Sequence, residues 1–226
     1  MINGACGFTR VVITTLMTTG TALGSDLNVT SFAAYSGQTN IHLQADGNVT
    51  FSGGSMSLPP LPPGYSQGKL VVQAGANIVV ATGTEIHAGT NWNVSFAASN
   101  SVIVNQSSGV STIGGDITII GANIQQGGML QADSVQGTNY LIERIASDGI
   151  GLGANSGIAA RGDPISAGGS PGGFVILDAG PNGTYVDAAG STISVTGQSG
   201  SQSGGLSFEV PAGAGSGDSY FRIISE

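Results

Sequence analysis

The chain has 226 residues, a net charge of −8, 8% charged residues and 40% hydrophobic ones, with 39 glycines, one lysine and one cysteine. Its five basic residues, Arg10, Lys69, Arg144, Arg161 and Arg222, are too scattered to build a cationic patch. Nucleic-acid binding and attachment to an anionic membrane are therefore excluded. Cys6 alone excludes an internal disulfide or a thiolate metal cluster, and reads as a small buried or tail residue.

Residues 1–25 open with MINGACGFTR and continue as VVITTLMTTGTALG. One cation before a weakly apolar stretch resembles a poor signal peptide, but the threonines between Thr14 and Thr21 interrupt it. The stretch is too polar for a transmembrane helix, and a first coil or docking strand is the expectation. Residues 26–226 read as one β domain. LNVTSF, NIHLQA and NVTFSG are strand-like runs bounded by turns. LPPLPPGY at 58–65 must leave any sheet ladder, because proline has no N–H to donate. A loop bulging from one coil is the plain reading, and a polyproline ligand the sharper one.

From residue 68 a beat of eight takes over. Leu70, Ile78, Ile86, Val94, Val102 and Val110 each belong to a short run that ends in Gly, Ser, Thr or Asn. The beat recurs at Ile41 and Val49, at Ile150 and Ile158, and at Tyr185 and Ile193. A unit that short buries its apolar side only by stacking on copies of itself. Three such units make a coil of roughly 20 to 25 residues rising about 4.8 Å, so the chain would form a rod roughly 40 to 50 Å long. Runs such as KLVVQA and DITIIG are apolar on both phases, as parallel strands covered on both sides are. The expectation is an all-β chain forming one elongated parallel β-helix.

The run NYLIERIAS sets up a conflict. One phase turns Ile142, Arg144 and Ala146 inward, and the other turns Leu141, Glu143 and Ile145 inward. Either aims a charge at the core unless a bulge intervenes or the surface faces a partner. Further on, GFVILDAG, STISVTG and LSFEVPAG read as strands between Gly-Ser turns, and SYFRIISE as a last strand or cap.

NIVVATGTEIHAGTNWNVSFAAS, GGDITIIGANIQQGGMLQADSVQG and IASDGIGLGANSGIAARGD resemble the repeat region of filamentous haemagglutinin-like proteins, secreted bacterial adhesins of the two-partner secretion type. The resemblance covers about residues 68–210. It implies a right-handed parallel β-helix and an extracellular fibre that mediates adhesion or builds a surface layer. The family's long N-terminal secretion domain is not recognisable, and Arg144 stands where an aliphatic residue would suit the repeat.

Chemistry-bearing residues are few. His42 and His87 alternate with apolar neighbours and so point outward, and no G-x-S-x-G elbow occurs; a catalytic triad is not expected. For polysaccharide cleavage the nearest pair of carboxylates is Asp178 and Asp187, flanking AGPNGTYV, with solvated turn residues as the plainer reading. Calcium is unsupported, since IGGDIT and GSGDSY each occur once rather than in tandem. Arg161, Gly162 and Asp163 form an RGD tripeptide, a candidate ligand-binding loop. Asn28, Asn48, Asn93, Asn105 and Asn182 head glycosylation sequons, although stacked Asn and Thr ladders explain them equally well. No enzyme, cofactor or metal is expected. The leading reading is a cell-surface structural or adhesive solenoid, pairing head-to-tail with itself through its end coils. An adhesin segment binding cell-surface or matrix ligands is the first alternative, and a β-helix polysaccharide-cleaving enzyme the second.

Overall fold

A computed structural model describes residues 8–14, 17–23, 26–134, 141–162, 173–179, 183–196 and 205–209. The beat of eight becomes its geometry. Leu70, Ile78, Ile86, Val94, Val102 and Val110 are all buried, as are Ile41, Val49, Ile150 and Ile158. Alternation inside each run then sends the intervening polar residues outward, as along NIHLQA, half-buried and buried by turns.

The chain opens with β1 (Phe8–Thr14) and β2 (Met17–Leu23), an antiparallel hairpin. Every later pairing is parallel. The first coil adds β3 (Leu27–Val29), and the next comprises β4 (Asn40–Ala45), β5 (Val49–Phe51) and β6 (Ser55–Ser57). Then come β7 (Gly68–Ala74), β8 (Ile78–Val80) and β9 (Glu85–Thr90), followed by β10 (Trp92–Ala98), β11 (Ser101–Val104) and β12 (Gly109–Ile113). β13 (Ile117–Gln126) runs round one corner unbroken before β14 (Met129–Asp133). β15 (Leu141–Leu152) does the same before β16 (Gly157–Arg161). The last strands are β17 (Phe174–Asp178), β18 (Thr184–Asp187), β19 (Thr192–Ser194) and β20 (Gly205–Glu209).

The strands form three faces, and the fold is a parallel β-solenoid of about 5 turns. One face carries β2, β4, β7, β10, the first half of β13, the first half of β15, β17 and β20. The second carries β3, β5, β8, β11, the remaining halves of β13 and β15, and β18. The third is a separate sheet, β6-β9-β12-β14-β16-β19. On the first face Ile41, Leu70, Val94, Ile117, Ile142 and Val175 stand in register, one above another. Phe51 stacks on Phe96 inside the barrel, with centroids 5.6 Å apart.

Turns repeat with the coils. Between the second and third faces the third turn residue is left-handed: Gly83 (φ 74°), Ser107 (φ 57°), Asn155 (φ 58°) and Gly190 (φ 82°). A side-chain ladder runs along the corner between the first two faces. Asn48 Nδ2 donates to Asp26 Oδ1 (3.0 Å), Asn77 Nδ2 to Asn48 Oδ1 (2.8 Å), and Asn100 Nδ2 to Asn77 Oδ1 (2.9 Å). Each amide thereby satisfies the next and ties its coil to the one below.

The proline-rich segment leaves the ladder between β6 and β7 but does not simply bulge into solvent. Leu58 is buried, Leu61 packs on the core, and the Pro59 carbonyl accepts a hydrogen bond from Trp92 Nε1 (3.1 Å). The segment lies against Trp92, whose indole is buried. The NYLIERIAS conflict resolves in the first phase: Ile142, Arg144 and Ala146 are buried, while Leu141, Glu143 and Ile145 are half-buried on the outside. A register shift does occur, but later, where Gly121 pairs with Ala146 and Asn123 with Gly149. It comes too late to free Arg144, which has no solvent exposure and stands between Ile119 and Leu177 in an otherwise apolar file.

Candidate functional site

The outer surface of the third face carries the densest chemistry. In β9 the outward residues are Glu85 and His87, and parallel register sets Ser111 of β12 beside His87 and Gln131 of β14 beside Ser111. Neighbouring strands lie about 4.8 Å apart, so such rows bring polar side chains into contact. His87 Nδ1 lies 3.0 Å from Ser111 Oγ, and His87 Nε2 lies 3.1 Å from Glu85 Oε2. A carboxylate only accepts. In the neutral ring Nε2 therefore carries the proton toward Glu85, and Nδ1 accepts from the Ser111 hydroxyl.

Beside this row, Gln131 Nε2 donates to Asp133 Oδ2 (2.6 Å). Arg161 clamps the same carboxylate with two bonds of 2.9 Å, from Nε and Nη2. The bond to Asp133 raises the Arg161 pKa, against a smaller opposing effect of burial. A groove of about 420 Å³ runs across β9, β12 and β14, and Ile113 and Met129 stand in it with their side chains well exposed.

The residues singled out from sequence fall elsewhere or are already engaged. The arginine of the RGD tripeptide is the one held on Asp133; Gly162 is buried, and Asp163 lies outside the described residues. Asp178 and Asp187 do not face each other. Their register partners are Ile145 and Leu152, seven residues apart along β15, which is on the order of 20 Å of strand. Asp187 accepts a hydrogen bond from Ser191 Oγ. Both histidines do point outward, and His42 Nε2 sits 2.8 Å from Gln73 Oε1. Asp116 of IGGDIT accepts from the Leu141 amide (2.8 Å), while GSGDSY and Cys6 lie outside the described residues. Among the described residues no group of three or more His, Cys, Asp or Glu gathers to hold a metal, and no helix is long and apolar enough to cross a membrane.

The sequons divide by the state of their amides. Asn48 uses its Nδ2 in the corner ladder, and half-buried Asn93 accepts from the Asp116 amide (2.9 Å). Asn28 is exposed, and its oxygen accepts from Ser52 Oγ (2.9 Å). Asn105 is half-buried at a turn where its backbone carbonyl accepts from Ser108, and Asn182 lies outside the described residues.

Sequence reading placed His87 outward but did not connect it to Ser111. The signal was present: the two positions differ by 24, three beats of eight and so one full coil. Comparison with protein-family models, with curated proteins and with solved structures returns no match. The likeness to filamentous haemagglutinin-like repeats therefore rests on the quoted residues alone.

Proposed function

We propose that this chain is an extracellular β-solenoid shaft that forms, or belongs to, a cell-surface fibre by end-to-end stacking, with a structural or adhesive role. One observation supports the reading above the others. From β2 to β20 the ladder of the first face keeps one polarity, and among the described residues nothing pairs with the outer edges of β18, β19 or β20. Unpaired backbone at a sheet edge is a template for another chain. At the opposite end β1 presents a further edge, with its only described partner on the β2 side. A contact between unlike ends propagates rather than closes. The interior suits a shaft: apart from a few buried polar residues such as Arg144, its files are filled by aliphatic and aromatic side chains. The extracellular setting follows from the resemblance.

Negative-stain microscopy over a concentration series tests this. Rods that lengthen with concentration are expected. Val186→Lys on the edge strand β18, where the valine is already exposed, should shorten them. Particles that stay monomeric at every concentration would refute the reading.

A further inference from the structure

We propose that Ser111 is an activated nucleophile that takes an acyl group from an ester, with His87 as its base and Glu85 as the residue that positions the base. This goes beyond the shaft reading, and its failure would leave that reading untouched.

The geometry supplies the three linked parts such chemistry needs. Ser111 Oγ and His87 Nδ1 are 3.0 Å apart, within hydrogen-bond reach. Glu85 Oε2, 3.1 Å from Nε2, fixes the tautomer that leaves Nδ1 basic, and it stabilises the imidazolium when the proton arrives. All three side chains project from adjacent strands of one sheet, a stiffer mount than a loop. Gln131, the register partner of Ser111 on its other side, has an amide N–H beyond the one given to Asp133. That N–H is the donor available to a developing oxyanion.

The step balances without a co-reactant. Ser111 Oγ bonds to the acyl carbon while its proton passes to His87 Nδ1. The tetrahedral centre then collapses, the ester C–O bond breaks, and the departing alkoxide takes the proton from His87. The products are an ester on Ser111 and a free alcohol. Water can repeat the sequence, releasing a carboxylic acid and restoring Ser111.

The surroundings suggest the substrate class. The groove lies on an outer face, and Glu85 and His87 keep 56% and 44% of their side-chain surface exposed. Such a site does not enclose a small molecule; it admits an acyl group carried on an extended polymer lying across the strands. Ile113 and Met129, about 45% and 42% exposed, offer apolar surface to the acyl portion. An O-acylated polysaccharide has this chemistry.

A fluorophosphonate probe and p-nitrophenyl acetate test the proposal on the full chain. Expected is a stoichiometric adduct mapped to Ser111 by peptide mass spectrometry. It should disappear in Ser111→Ala and form at least tenfold more slowly in His87→Gln. Glu85→Gln should slow it less and alter its pH profile, and His42→Gln should leave it unchanged. Acetate transfer from p-nitrophenyl acetate should follow the same ranking. Because these side chains lie on the outer surface, melting curves should coincide across the set and keep the comparison interpretable. No adduct, an adduct elsewhere, or one formed equally fast in His87→Gln would overturn the proposal.

Discussion

Arg144→Leu should make the protein more stable. Arg144 is fully buried in the file Leu43, Val72, Phe96, Ile119, Arg144, Leu177, and none of its three guanidinium nitrogens has a hydrogen-bond partner. Burial pulls its pKa well below the ordinary guanidinium value, to about 9, against a smaller opposing influence of Tyr185. At about 1.4 kcal/mol per pH unit, a displacement of that size corresponds to roughly 5 kcal/mol of charging cost. Exchanges of buried ion pairs for well-packed apolar groups recover less, about 1–4 kcal/mol, and that range is taken for this cation. At about 2–4 °C per kcal/mol for a chain of this size, the melting temperature at pH 7 should rise by roughly 2–16 °C. The pH dependence carries a second signature. Above about 9 the folded state releases the Arg144 proton, while the unfolded state, with an ordinary guanidinium, still holds it. The unfolded state then binds more protons, and wild-type stability rises with pH. Tyr185 works the other way: burial lifts its pKa from 10.0 to about 12, so its contribution is full below pH 10 and is lost toward 12. The advantage of Arg144→Leu should therefore shrink between pH 9 and 10, before tyrosine ionisation dominates. Reversible urea unfolding at pH 7, 9 and 10 measures both effects. A variant less stable than wild type, or an advantage that does not change with pH, would refute the picture of a bare buried cation.

Four further outcomes follow from the turns and ladders. Asn77→Ala removes an amide that donates to Asn48 and accepts from the Asn100 side chain and the Ser101 amide. At about 1 kcal/mol per net bond it should cost about 2–3 kcal/mol in urea unfolding, against about 1 for Asn100→Ala. Ser107→Gly should stabilise by up to ~1 kcal/mol, since Ser107 holds the left-handed position that Gly83 occupies one coil earlier. Gly115→Ala should be severely destabilising, because a Cβ there would meet the Trp92 carbonyl of the coil below. If the chain is made in a glycosylating secretory host, peptide mass spectrometry should find sugar at Asn28 and none at Asn48, whose Nδ2 is committed to the ladder.

Much of the architecture was legible because a solenoid writes its coil length into the chain. Val94, Val102 and Val110 sit on three different faces, yet a count of eight finds them all. The left-handed turn positions also show themselves as Gly83 and Gly190, although Ser107 and Asn155 hide the same role behind ordinary residues. The inward turn of Arg144 was one of two readings, and local sequence could not choose between them. Ile117, Ile119 and Val175, Leu177 on adjoining coils fix the phase that Arg144 must follow. The packing of 58–65 over Trp92 depends on residues some thirty positions apart, a separation that no turn signal encodes.

The same reasoning explains why the groove on the third face was invisible locally. A solenoid places residues one coil apart side by side, and in this stretch a coil is 24 residues, as between His87 and Ser111. Motifs that work by short spacing, such as a nucleophile elbow, have no counterpart on such a surface. Its constellations form across strands, at offsets that vary with every loop: 24 from His87 to Ser111, but 28 from Asp133 to Arg161. The inward positions are constrained by packing, while the outward ones are open to any polar residue the sheet tolerates. A carboxylate and an imidazole on one strand with a hydroxyl beside the imidazole therefore need a single coil of the right length and three permissive outward sites. Lengthening the turn between β9 and β10 by one residue would leave the fold's stacking rule intact. It would also set a different residue beside His87, unless the turn absorbed the insertion. Whether such an insertion abolishes labelling of Ser111 while rods persist distinguishes a site built by register from one that chance contact produced.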